Sequence, residues 1–188
     1  MNHKNMLLEL ILFGLIMVML SGCSISMMMR TDTILEPDSA HAIVTFVRPS
    51  AFGGAIKLSL WDREKFIGIL AARAQVQYLT EPGEHLFIAQ DENWSYVKAN
   101  LEAGKHYFII GKVLPGVGKA LVELDPVNKE DDYQKKTQQW LTDLNSTTVI
   151  PEKVTGFADL QMRHINKAIA DYDTGDVKFS ILESGDHI

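Results

Sequence analysis

The chain has 188 residues, 46% of them hydrophobic and 22% charged, with a net charge of −6. This is enough apolar material for one domain with an ordinary core, and the acidic balance, with no Lys/Arg run longer than two, excludes a nucleic-acid partner, which needs a clustered basic face. The only cysteine, Cys23, excludes a disulfide framework within the chain and a multi-thiolate metal site.

At the N-terminus Lys4 precedes an uninterrupted apolar run of 11 residues, Leu10 to Leu20. That fits the roughly 7 to 15 residues of a signal-peptide core and falls short of the roughly 20 that span a bilayer. Small residues follow, then a nucleophilic thiol. Leu20-Ser21-Gly22-Cys23 resembles the lipobox of bacterial lipoproteins at all four positions. The resemblance implies lipidation of Cys23, cleavage between Gly22 and Cys23, and acylation of the new amino terminus. Covalent diacylglycerol and an N-acyl group on Cys23 would then be the only attached groups, with no cofactor. Glu9, at the mouth of the apolar core, departs from the pattern. The rival reading is an uncleaved anchor over Leu10 to Met29, but Ser21, Gly22, Ser24 and Ser26 dilute its second half. Each buried acyl methylene contributes about 0.8 kcal/mol, so two or three chains hold effectively permanently. Ser24 in the position after the cysteine implies the outer membrane rather than the inner, by the sorting pattern of such lipoproteins. Lys4 and Glu9 cancel, so the mature chain from Cys23 keeps the charge of −6.

Residues 23–40 read as a lipidated tether: Ser24 to Ser39 alternates at neither the strand nor the helix period and carries Pro37. Met27 to Met29 either lie in the membrane interface or dock on the domain. From Ala42 the chain reads as strand after strand: Ala42–Val47, Ala55–Trp61, Phe66–Leu70, Val76–Leu79, Leu86–Ala89, Trp94–Leu101, Tyr107–Val113 and Ala120–Leu124. Turn chemistry separates them, with Asp91-Glu92-Asn93 as a hairpin candidate. Roughly eight short strands at this spacing predict an antiparallel β-sandwich over 41–125. After Pro126 the period changes. Asn128 caps a predicted helix with Tyr133, Thr137, Trp140, Leu141 and Leu144 on one face. Thr155 caps a second, with the stripe Phe157, Leu160, His164, Ile165, Ala168, Ile169 and Tyr172, closed by Gly175. Each is expected to run about 14 to 18 residues and to pack on the sandwich or on the other. Val177, Phe179 and Ile181 alternate as a short final strand. The fold class is therefore α+β, mainly β, with a two-helix C-terminal extension over 126–188.

Arg48-Pro49-Ser50, Pro82-Gly83-Glu84-His85 and Ala103-Gly104-Lys105-His106-Tyr107 together resemble the DUF2846-type domain of bacterial lipoproteins over about Ala42 to Asp125. These motifs are mainly turn chemistry. The resemblance implies the sandwich and assigns no activity.

Several constellations invite a site. Gly111 to Ala120 (GKVLPGVGKA) has P-loop glycine spacing, but Val117 stands where lysine is needed and no serine or threonine follows, so it reads as a hairpin loop. His85 and His106 follow equivalent Gly-x turns and would form a metal site only if their strands paired side by side; the expectation is no metal. His164 reads as an interfacial core histidine. Trp61, Trp94 and Tyr96 are strand aromatics that either contact a ligand as an exposed face or lie beneath the C-terminal helices. No Gly-x-Ser-x-Gly, no His-Glu-x-x-His and no thiol beyond Cys23 speaks for catalysis, so no catalytic residue is assigned. The sequence thus points to a lipid-anchored, periplasm-facing envelope protein with a binding or structural accessory role. The membrane is one partner, and an envelope protein or cell-wall glycan is the other. A glycan- or small-ligand-binding module built on the exposed aromatics is the alternative, and an envelope hydrolase the third reading.

Overall fold

The computed structural model of the protein describes residues 27–91 and 93–188, so the predicted leader, the predicted cleavage point and Cys23 lie outside the described residues, as does Glu92. The described strands are β1 (Met28–Arg30), β2 (Ala42–Arg48), β3 (Leu58–Asp62), β4 (Lys65–Leu70), β5 (Ala74–Thr80), β6 (Gly83–Gln90), β7 (Trp94–Leu101), β8 (His106–Pro115), β9 (Ala120–Pro126), β10 (Asn145–Val149) and β11 (Ser180–Leu182). A 3-10 turn (Asp132–Lys136) leads into α1 (Thr137–Asp143), and α2 (Pro151–Asp173) is the one long helix described. Among the described residues no helix is long and apolar enough to cross a membrane.

The strands form two sheets. The first has the order β1-β10-β5-β2-β8-β9 and the second β11-β7-β6-β3-β4. Their facing sides enclose the main core, in which Val44 and Phe46 of β2, Leu58 and Leu60 of β3, Phe87 of β6 and Ile109 of β8 are all fully buried. Strand β2 is buried at every residue because it is central in its sheet and covered on both faces. Gly111 of β8 belongs to the same closure: a Cβ there would stand 2.7 Å from the Leu70 side chain. The fold is thus α+β, mainly β, and each of the eight predicted strands is present. Three pairings, β2–β8, β5–β10 and β7–β11, are parallel within the otherwise antiparallel sandwich.

Each sheet also has a covered outer face. On the first, Trp140 and Leu144 pack against Val47, Phe108 and Ile110. On the second, Ile165 and Ala168 of α2 pack against Trp61, Leu86, Ile88 and Tyr96. The open sides of the sandwich are closed by side chains. The Val122 and Leu124 N–H groups on the free edge of β9 donate to Asn93 Oδ1 (2.7 Å) and Ser95 Oγ (2.8 Å), which satisfies an edge that would otherwise offer itself for pairing. On the other side the Ile69 N–H of β4 donates to Met28 Sδ at 3.3 Å.

Four expectations change. The predicted tether is not free chain throughout: Met28–Arg30 pair with Thr147–Val149, and of the two readings of the triple methionine the structure has docking on the domain, through Met28. The stretch read as a helical extension also supplies an unexpected strand, β10, beside β5, while β11, at the edge of the second sheet, falls at the end of the expected final strand. The first predicted helix is only the 3-10 turn plus the seven residues of α1, because the Asp131 carboxylate accepts the Asn128 N–H and closes a turn there, so Asn128 caps no long helix. The second starts earlier than Thr155, at Pro151, whose fixed φ and missing N–H suit a first turn. Its buried stripe is narrower than the one predicted: Phe157, Ile165, Ala168, Ile169 and Tyr172 face the sheet as expected, while Leu160 is 78% exposed and His164 is exposed rather than interfacial.

Candidate functional site

The three aromatics predicted as a ligand face lie together, but under α2 rather than open to solvent. Trp61 is fully buried and Tyr96 nearly so, and Trp94 is half-buried against the same cluster. The Trp61 ring packs on Phe66 (centroids 4.9 Å) and Phe157 of α2 (6.4 Å), and Tyr96 stacks on Tyr172 at 6.1 Å. Of the two readings of these aromatics the structure has the helix-covered one, and the exposed ligand face is not present: the ring surfaces are occupied by the helix, whose amphipathic stripe needs an apolar partner.

The three motifs behind the family resemblance each tie down an end of the sandwich. Arg48 is fully buried; its Nη1 donates to the Ile56 carbonyl (2.6 Å) and its Nη2 to those of Phe52 and Gly53 (2.7 Å each), holding the loop between β2 and β3. His85 bonds Asp62 Oδ2 through Nδ1 (2.7 Å) and the Glu81 carbonyl through Nε2 (2.9 Å), and the Tyr78 hydroxyl donates to the same Asp62 oxygen at 3.1 Å. Burial pulls the His85 pKa down, but the Asp62 carboxylate, by hydrogen bond and charge, more than reverses this and raises it above 6.5. Tyr107, fully buried, accepts the Glu102 N–H (3.0 Å) and donates to the Ser184 carbonyl (3.1 Å), joining a turn to the C-terminal tail.

His106 does not meet His85. It lies on the outer face of the first sheet, stacked on Phe108 and bonded to Thr45 Oγ1 at 2.7 Å, and burial lowers its pKa to about 4. His85 stacks instead on Phe87, in the core between the sheets. Among the described residues no group of three or more His, Cys, Asp or Glu is placed to hold a metal ion. Gly111 to Ala120 forms the end of β8, the hairpin turn and the start of β9.

A groove that the sequence does not announce lies on the outer face of the first sheet. The register pairs Val47 with Ile110, so β8 runs on past the end of β2, leaving Lys112 to Pro115 to project with β9 as a hairpin. Between this hairpin, Pro49 and Ser50, and the 3-10 turn is a cavity of about 360 Å³ with Ile110 and Leu114 on one side and Tyr133 and Trp140 on the other. The two rings lie 5.8 Å apart at 37°. Two lysines border it. Lys112 is ion-paired with Asp125. The Lys136 ammonium stands 5.3 Å from the centre of the Tyr133 ring. Tyr133 and Trp140 carried the sequence signal for this place, as members of one predicted stripe.

No family model, curated protein or solved structure matches the chain.

Proposed function

We propose that the protein is a lipid-anchored envelope protein with a non-catalytic binding or structural role, carried on Cys23 and facing the periplasm, with the outer membrane favoured by Ser24. The observation that carries this reading is Leu20-Ser21-Gly22-Cys23 directly after an apolar run of signal-core length. The likeness to DUF2846-type lipoprotein domains at Arg48, His85 and Tyr107 supports it, since all three side chains serve the sandwich rather than a reaction. Against the hydrolase reading stands the geometry of the best-oriented histidine: both nitrogens of His85 are engaged, by Asp62 and by the Glu81 carbonyl, so neither is placed to take a proton from a nucleophile. The test is replacement of Cys23 by Ala in the full chain. Incorporation of labelled fatty acid should cease, the leader should be retained, and membrane fractions after carbonate extraction should differ from the parent. Unchanged labelling and unchanged mass would refute the lipid attachment.

A further inference from the structure

We infer that the groove between the β8–β9 hairpin and α1 binds an amphiphilic anion, a carboxylate or sulfonate on an apolar body. This goes beyond the envelope role and does not depend on lipid at Cys23. Its size falls within the roughly 300 to 1,000 Å³ of small-molecule sites, and its composition follows their pattern of apolar walls with few polar groups. Ile110 and Leu114 supply an aliphatic side, while Tyr133, 39% exposed, and Trp140 supply flat aromatic faces. The sign of the ligand comes from the two lysines. Lys112 is already neutralised by Asp125, whereas Lys136 forms no ion pair among the described residues and stands over Tyr133 at the groove. In a chain of net charge −6 an unpaired ammonium held beside an apolar cleft is complementary to an anion whose body enters the cleft. Ser50, whose hydroxyl accepts the Phe52 N–H, also lines the groove.

The experiment is calorimetric titration of the full chain, in lipid nanodiscs with empty nanodiscs subtracted, with 4-phenylbutyrate and its neutral isostere 4-phenylbutanamide. The acid should bind saturably at one site and more tightly than the amide by roughly threefold to tenfold, the range between an exposed ion pair and a charge-assisted hydrogen bond. Lys136→Gln should bring the acid to the level of the amide, Lys136→Arg should keep the preference, and Leu114→Asp should weaken both ligands. Lys178→Gln, an exposed control, should change nothing. A thermal melt of each variant separates loss of the site from loss of the fold. No saturable binding of either compound, equal affinity for acid and amide, or a preference untouched by Lys136→Gln would each overturn the inference.

Discussion

His85 and His106 each stand two residues after a turn glycine at the start of a strand, and their surroundings drive them in opposite directions. The folded state holds His85 with a raised pKa, so its contribution to stability is complete below 6.5 and is lost as pH rises through the folded value. His106 is held neutral, with a pKa of about 4 against 6.5 unfolded. The unfolded chain therefore takes up a proton between those values, and stability falls as pH drops from 6.5 towards 4. Urea midpoints measured from pH 4.5 to 9 should peak between these two limbs. His85→Gln should flatten the alkaline limb and His106→Gln the acidic one; a profile unchanged by either substitution would contradict the assignment. Arg48 is the other residue whose role is decided by what it satisfies. Its guanidinium serves three loop carbonyls, with Asp91 acting on it through charge rather than direct contact, and each orphaned carbonyl costs about 1 to 3 kcal/mol. Removing the buried cation recovers part of that through its own desolvation. Arg48→Met should therefore destabilise by roughly 3 kcal/mol and open Ala51–Ala55 to proteolysis. Arg48→Lys should recover little, since a point ammonium lacks the planar fork that reaches three acceptors.

Helix α1 has seven residues, too few to persist alone in water, so its order depends on the sheet beneath it. Trp140 is the contact, 7% exposed against Val47, Phe108 and Ile110. Trp140→Ala should cost roughly 3 to 5 kcal/mol in urea melts, whereas Leu160→Ala on the solvent side of α2 should fall within about 0.5 kcal/mol of the parent. Equal effects would show that the helix phases are misplaced. What the sequence made legible follows from period. The eight central strands alternate or run apolar, and Trp140 sits at the middle of its stripe. Strand β10 (Asn-Ser-Thr-Thr-Val) has no apolar alternation and becomes a strand only because β5 and β1 offer it partners on both sides. β1 is three residues of Met-Met-Arg with the same dependence. In α2 the residues Phe157, Ile165, Ala168, Ile169 and Tyr172 of the predicted stripe meet the sheet, whereas Leu160 and His164, which satisfied the same period, are exposed. The groove was illegible for a related reason: residues 49–50, 110–114 and 133–140 meet only in the folded molecule.

Both the first and the last of the described strands, β1 and β11, are built into the sheets. A fragment ending at Pro126 would lack β10 and β11, and so would leave β5 and β7 with unpaired edges and α1 and α2 absent from both outer faces. Bare apolar faces and open edges favour self-association, so this fragment should aggregate on light scattering where the chain from Met27 to Ile188 stays monodisperse. A soluble, cooperatively melting fragment would show that the central strands suffice. The pairing of Met28 with Val149 also sets an order of events in time. Synthesis makes β1 before every other strand, yet β1 can be placed only after Asn145–Val149 has been made, and the second sheet is complete only with Ser180–Leu182. Nascent chains arrested at Pro126 should thus be digested from their N-terminal side, and those released at Ile188 should resist. Met28–Arg30 therefore stays without a strand partner while the whole central sandwich is made, and gains one only once Asn145–Val149 has followed.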